Sequence, residues 1–128
     1  MPGVLYYLGL AALFTHEMDA VRAQEWKLLY VLRGLPEATA EPAFLLLHLP
    51  LFFVVLWLSQ HERARLREGF RLLAGAFLVV HAGLHARLAD HALNAFDGVV
   101  SNGLIYAAGV FGGLYLLLQS LERLRAGR

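Results

Sequence analysis

Residues 43–59 read AFLLLHLPLFFVVLWLS, and this stretch decides the fold. It carries no charged residue, and its length is close to the roughly 20 residues that an α-helix needs to cross the hydrocarbon core of a bilayer. Apolar and polar residues do not alternate in it, as they would in a half-buried strand. The stretch therefore predicts a membrane-spanning helix, interrupted only by His48 and Pro50.

Three further apolar segments flank this one, and together they predict an all-α integral membrane four-helix bundle. We expect residues 1–128 to form a single transmembrane domain. The predicted spans are residues 4–20, 43–59, 69–89 and 99–121. The connection over residues 21–42 predicts an interfacial helix after the first span, with Trp26 and Tyr30 as anchors at the membrane surface. Pro42 is expected at the start of the second span.

The composition supports a membrane protein and excludes several functions. Hydrophobic residues make up 59% of the chain and charged residues 16%, whereas a soluble domain averages about 45–50% and about 25%. The net charge of +1 gives no basic surface for nucleic acid. Since the chain has no cysteine, disulfides, thiolate metal sites and iron–sulfur clusters are excluded. Any metal must be held by nitrogen and oxygen.

Basic residues are distributed unequally between the two ends of the predicted bundle. One end carries seven arginines and the other four basic residues. The seven are Arg63, Arg65, Arg67, Arg71, Arg123, Arg125 and Arg128, and the four are Arg22, Lys27, Arg33 and Arg87. By the positive-inside rule the arginine-rich end, with both termini, is predicted to be cytoplasmic. The expected location is a bacterial inner membrane.

Polar residues from all four spans are predicted to meet at the other, non-cytoplasmic end. They are His16, Asp19, His48, His81, His85 and Ser101. His81 and His85 are four residues apart and therefore share a helix face. Ionisable groups inside a membrane are costly, so such a layer indicates a functional site. The alternative is a structural network of hydrogen bonds between helices.

Imidazole and carboxylate groups in one layer predict a metal site, with zinc the first choice and iron or manganese also suitable. The predicted ligands are His16, Asp19, His48, His81 and His85. Three or four protein ligands with an open position are typical of catalytic zinc, and Glu17 or a free Asp19 would act as the general base. Arg22 is placed to pair with Asp19 and compete with ligation. His61 and His91 are expected in loops, and Glu25 at the interface.

Three functions follow from such a site. The first is a metal-dependent hydrolase that acts on a lipid or another amphiphile, because the site lies near one membrane surface. The second is a b-type haem protein for electron transfer, since histidines on facing helices can ligate haem iron from both sides. The third is a component that handles metal ions or protons without chemistry, which would need a homo-oligomer or a partner. The lipid bilayer is the expected surrounding in all three.

The string THEMDAVRAQEWKLL, followed by a histidine in the second span and HxxxH in the third, resembles a family of small uncharacterised bacterial membrane proteins. Members look like four-helix proteins with an H-E-[LM]-D-A…E-W signature. The resemblance covers nearly the whole chain and rests on His16, Glu17, Asp19, Ala20, Glu25, Trp26, His48, His81 and His85. It implies the four-helix fold and brings no activity. Membrane proteins named for an H-x-x-E-E motif are more loosely similar, and HEMDA departs from their pattern.

The residue inventory is also similar to that of membrane-embedded zinc hydrolases of lipid amides. Those enzymes combine a serine, an aspartate and three histidines, two of which form HxxxH. By this analogy Ser101 and Asp19 would be catalytic, beside His81, His85 and one further histidine. The enzymes have seven spans, whereas four are predicted here.

Overall fold

Helices form the whole framework of the chain over residues 2–127, which are the residues that the computed structural model describes. The four long helices are α1 (Pro2–Arg22), α2 (Glu37–Ser59), α3 (Ala64–Arg87) and α4 (Val99–Ala126). They contain three of the predicted spans in full and the third up to Arg87, where α3 ends two residues before the predicted end. The described range holds no strand, so the all-α helical bundle is confirmed. Arg128, which was counted in the orientation prediction, lies outside the described residues.

Three of the four long helices, α2, α3 and α4, are long and apolar enough to cross a membrane. Large side chains on them face outward: Leu49 is 73% exposed and Phe53 is 63% exposed. Such a surface requires lipid as its solvent, so this is a membrane protein. The helix α1 has 21 residues but carries three charged side chains in its last two turns. The prediction that it also crosses the bilayer stays a prediction.

The connection between α1 and α2 contains one short 3-10 helix, Glu25–Lys27, followed by turns. Trp26 is buried at 3% exposure, packed against Phe44 of α2, while Tyr30 is 83% exposed. Of the two predicted membrane-surface anchors, only Tyr30 is therefore exposed on the outside of the protein. Pro42 lies inside α2, because the helix begins at Glu37, five residues earlier than predicted.

The centre of the bundle is a close packing of α1, α3 and α4 through small residues. A Cβ added to Gly9 on α1 would lie 2.7 Å from Leu78 of α3, and one added to Gly112 on α4 would lie 2.8 Å from the Gly75 carbonyl of α3. Without side chains at these points the helices approach closely, as membrane helices do where no hydrophobic effect drives them together. This packing fixes the rotation of α1 and α3 about their axes.

By contrast, α2 contributes few buried side chains, and these lie toward its two ends. Its only buried residues among those described are Ala40, Phe44 and Ser59. At the arginine-rich end, Arg71 Nε donates a hydrogen bond to the Ser59 carbonyl at 2.9 Å, and the Ser59 hydroxyl is hydrogen-bonded to the Tyr6 hydroxyl. Between these attachments the middle of α2 leaves an apolar cavity against α1 and α3.

Candidate metal centre

Three imidazoles converge where the end of α1 meets the end of α3, at the end of the bundle opposite the arginine-rich end. One ring nitrogen from each of His16, His81 and His85 lies within 4.8 Å of the other two. The ring centroids are 5.1 Å apart for His16 and His81, 4.8 Å for His16 and His85, and 4.7 Å for His81 and His85. The four-residue spacing on α3 places two of the rings on one face, and α1 brings the third against them.

The imidazole nitrogens of this group are short of partners. His16 is fully buried, yet neither of its ring nitrogens has a hydrogen-bond partner among residues 2–127, and the same is true of Nε2 of His81. Buried polar groups are almost always hydrogen-bonded, because an unpaired one costs about 1–3 kcal/mol. Three such nitrogens at one place indicate a site built for a ligand.

A carboxylate completes the group. Oε1 of Glu25 lies 3.4 Å from Nε2 of His85, and Oε2 lies 3.8 Å from Nε2 of His16. Burial raises the pKa of the Glu25 carboxyl, but the contact with His85 and the positive charge of the neighbouring imidazoles, when protonated, lower it more. The net pKa of Glu25 lies below its ordinary value, so the carboxylate is ionised near neutrality.

Glu25 reaches the histidines because the chain reverses just after α1. Gln24 adopts the left-handed conformation, with φ 55° and ψ 45°. In a continuous helix Glu25 would lie about 13 Å beyond His16 along the axis, at roughly 1.5 Å per residue. The turn at Gln24 instead returns the Glu25 carboxylate to within 3.8 Å of the His16 ring.

The loop between α3 and α4 covers the group at the end of the bundle. Phe96 is 6% exposed, and its ring lies 5.1 Å from that of His16 and 4.9 Å from that of His85. Asn94 and Asn102 bind this loop: the Phe96 backbone N–H donates to Asn94 Oδ1, and Asn102 Nδ2 donates to the Gly98 carbonyl. An aromatic cap of this kind separates the histidines from water.

Glu17 and His48 form a separate pair beside the three histidines. His48 Nδ1 lies 2.7 Å from the Phe44 carbonyl, which can only accept, so this nitrogen carries a hydrogen. His48 Nε2 lies 2.9 Å from Oε2 of Glu17. One proton therefore lies between them: either the imidazolium donates to a carboxylate, or a carboxylic acid donates to neutral imidazole. The pair holds one exchangeable proton.

Asp19 is engaged on the other side of α1. Arg22 Nε donates to Oδ1 of Asp19 at 2.7 Å, and the buried Ser101 hydroxyl of α4 donates to Oδ2. Arg22 Nη2 also donates to the Ser101 hydroxyl oxygen at 3.3 Å. Both carboxylate oxygens of Asp19 are therefore bound to protein groups, and the three residues tie α1 to α4.

A cavity of about 310 Å³ gives access to the histidines. Glu17, Glu25, His81 and His85 form its polar lining, and Phe44 is one of the apolar side chains that complete it. The Glu17 carboxylate and two imidazoles of the three-histidine group, those of His81 and His85, thus face one space.

The sequence as a whole matches a family described as being of unknown function, DUF6713, over residues 3–122. The chain belongs to the DUF6713 family. It matches no curated protein and no solved structure.

The DUF6713 chain brings together part of the predicted ligand set. His16, His81 and His85 meet. His48 is instead hydrogen-bonded to Glu17. Asp19 is bound to Arg22, as expected from their spacing, and to Ser101. The two predicted ligands lie outside the group because a neighbouring helix offers each a nearer partner.

Two residues that the structure places at the three-histidine group, Glu25 and Phe96, were not predicted there from the sequence. Glu25 was read as an interfacial charge, and Phe96 was not considered. The sequence shows Glu25 and Trp26 side by side, but where they lie relative to the histidines depends on the left-handed turn at Gln24. His61 and His91 lie in turns, where Nδ1 of each accepts a backbone N–H two residues later.

Proposed function

We propose that this protein is a metal-dependent membrane hydrolase whose metal is held by His16, His81 and His85, with Glu25 as the carboxylate partner. The observation that carries the proposal is a group of three imidazoles beside the Glu25 carboxylate, in which His16 and His81 have buried ring nitrogens without a partner. In tetrahedral zinc sites with metal–nitrogen distances near 2.1 Å, ligand nitrogens lie about 3.4 Å apart. The histidines, which lie within 4.8 Å of one another, need only a small closure to reach that spacing.

Zinc is the metal that the donor set suits best, because imidazole nitrogen with one carboxylate oxygen is typical of its catalytic sites. Such an ion supplies Lewis acidity at an acyl or phosphoryl oxygen and lowers the pKa of a water molecule to about 7. The packing favours a small ion over haem, since centroid separations of 4.7–5.1 Å leave no gap for a macrocycle between the rings.

The role of general base belongs to Glu17 in this proposal. Glu17 faces the same cavity as His81 and His85, and His48 holds its carboxylate in place. A proton taken up by Glu17 is shared with His48, whose Nδ1 is fixed by the Phe44 carbonyl. Asp19 and Ser101 serve as a clamp between helices, because their polar atoms already bind each other and Arg22.

The first test is elemental analysis and an absorption spectrum of detergent-purified protein, with His81→Ala and His91→Ala beside the wild type. We expect about one equivalent of zinc in the wild type and in His91→Ala, and none in His81→Ala. His91 is the matched control because it is exposed and lies in the adjacent loop. A Soret band would establish haem in place of zinc, and a protein that stays metal-free after reconstitution would overturn the proposal.

The second test separates catalysis from metal binding. Zinc-loaded protein in lipid nanodiscs is assayed with acyl p-nitrophenyl esters and acyl p-nitroanilides, in the wild type and in Glu17→Gln. We expect Glu17→Gln to keep its zinc and lose turnover by about 100-fold or more, the usual contribution of a general base. Turnover equal to the wild type would remove Glu17 from the mechanism.

We further propose a bacterial inner membrane location with both termini cytoplasmic, and that the H-E-M-D-A…E-W string marks the site. Support comes from Arg67, Arg71 and Arg123, which line one cavity at the end opposite the histidines. Because the chain has no cysteine, single cysteines at Asp97 and Arg125 report orientation cleanly. A membrane-impermeant maleimide applied to spheroplasts should label Asp97→Cys and spare Arg125→Cys. The reverse pattern would invert the topology.

A further inference from the structure

A second cavity, of about 300 Å³, lies between α1, α2 and α3 next to the metal centre. Every residue that lines it is apolar except Glu17. Glu17 and Phe77 also line the cavity beside the histidines, so the two spaces meet at these side chains. An apolar space that joins a polar one is the shape that an amphiphile requires.

The apolar cavity extends along the helices into the membrane. On α1 its wall runs from Glu17 to Leu10, which at about 1.5 Å per residue covers roughly 10 Å of the helix axis. One leaflet of the hydrocarbon core is about 15 Å thick. A chain lying in the cavity would therefore run parallel to the surrounding lipid chains through most of one leaflet.

The cavity is open to lipid on the side where α2 faces α3. Leu51 of α2 is 49% exposed, and Leu73 and Phe77 of α3 are 67% and 47% exposed, yet all three line the cavity. The middle of α2 has no buried residue between Phe44 and Ser59. A hydrocarbon chain can thus enter sideways from the bilayer and does not need to cross water.

We propose that this cavity binds the hydrocarbon chain of a single-chain amphiphile whose polar head lies at the three-histidine site. The inference rests on the proposed function, because it takes the metal centre as the place where the head group is held. Lipid is as apolar as the cavity, so the chain gains little from leaving the bilayer. The head group therefore provides the affinity, and the cavity selects the chain by its length and thickness.

The geometry also sets where the reacting bond lies. The junction of the two cavities is at Glu17, so the first atoms of the chain lie beside the proton-holding pair. The bond that is cleaved joins the head group to the chain, as in an acyl ester or acyl amide. Hydrolysis adds water across that bond: the acyl carbon takes the hydroxyl, and the leaving oxygen or nitrogen takes the proton.

The test uses an alkyl hydroxamate with a diazirine near the methyl end of its chain, because hydroxamates chelate zinc. Zinc-loaded protein in nanodiscs is photolysed, and the labelled residues are identified by mass spectrometry. Val55→Phe fills the cavity, and Val54→Phe is the matched control, since Val54 is exposed and does not line it. Leu51→Trp, at the half-exposed rim, repeats the test if Val55→Phe does not fold.

We expect label at Leu10 and Phe70, reduced severalfold by Val55→Phe or Leu51→Trp and unchanged by Val54→Phe. Label spread over lipid-facing side chains such as Phe53, equal in all variants, would overturn the inference. Metal content is measured on the same samples, so the two proposals fail separately. Zinc with diffuse label removes only the chain site. Cavity label without zinc removes the metal centre and the head-group assignment that rests on it, and leaves the cavity as a binding site for a hydrocarbon chain alone.

Discussion

Nε2 of His85 lies 3.4 Å from Oε1 of Glu25, although the residues come from α3 and from the turn after α1. This contact joins the two parts of the chain that build the centre. Among the described residues, Glu25 has the only carboxylate within 4 Å of a ring nitrogen of the three-histidine group. The contribution of Glu25 can be tested without a known substrate.

Glu25→Gln should weaken zinc binding by about 10- to 100-fold, the usual effect of removing a charged group from the immediate surroundings of a metal. The amide keeps the volume and removes the negative charge. Affinity is measured by competition with a chromophoric chelator in detergent. Glu41→Gln is the control, because Glu41 is exposed on the first turns of α2 and should leave the affinity unchanged. Equal affinity in wild type and Glu25→Gln would remove Glu25 from the site.

The left-handed backbone of Gln24 predicts opposite effects for two substitutions. Gln24→Gly should keep zinc affinity and the melting temperature, because glycine adopts φ 55° without a steric cost. Gln24→Val should lower stability by about 1–2 kcal/mol and weaken zinc binding, because a β-branched residue is strained there. Thermal unfolding with and without zinc measures both. If the valine variant binds zinc as tightly as the glycine variant, the turn does not position Glu25.

His48→Ala should retain zinc, since His48 Nε2 is bound to Glu17 and its Nδ1 to the Phe44 carbonyl. The variant should lose stability, because it leaves the largely buried Glu17 carboxyl without its partner. A double-mutant cycle with Glu17→Gln should give a coupling energy of about 0.5–3 kcal/mol. Zinc content and unfolding in detergent are measured for the four proteins. Loss of zinc in His48→Ala would instead establish His48 as a ligand, as the sequence predicted.

Asp19→Ala should also retain zinc, and it should destabilise the protein by about 1–3 kcal/mol, because the buried Ser101 hydroxyl loses its acceptor. Asp19→Ala with Ser101→Ala should recover part of that loss, since no buried hydroxyl is left unpaired. Unfolding in detergent gives the stabilities, and elemental analysis gives the zinc content. Asp90→Ala, on the exposed loop, is the control. A zinc-free Asp19→Ala protein beside a zinc-bound control would mean that Asp19 is a ligand after all.

Two adjacent glycines of α4 should respond differently to the same substitution. A Cβ at Gly112 would lie 2.8 Å from both the Gly75 carbonyl oxygen and the Leu78 Cβ, whereas one at Gly113 would lie 3.8 Å from Val79. Gly112→Ala should therefore cost about 1–3 kcal/mol through overpacking, and Gly113→Ala should gain up to about 1 kcal/mol from helix propensity. Thermal melts of the two variants decide. Equal melting temperatures would show that the helices separate easily at this point.

How much of the site followed from the sequence can be judged from the histidines. The HxxxH spacing on one span and His16 near the end of another predicted that the three imidazoles would lie at one depth, and they meet. Depth follows from counting residues along a helix, because the rise per residue is constant. The direction in which each side chain points around the helix axis does not follow from such a count. For that reason His48 and Asp19 were assigned to the same site from the sequence.

The sequence alone determined that the chain is a helical membrane protein with its polar groups near one end. Long uncharged runs leave no other way to satisfy the backbone in lipid, and helices that alternate in direction bring the relevant ends together. Only the tertiary structure decided which polar groups touch. The glycine contacts between α3 and α4 set the rotation of α3, and the left-handed turn at Gln24 returned Glu25 to the histidines. The rotation of α3 and the position of Glu25 both depend on contacts between residues far apart in the chain, so no local sequence pattern predicts them.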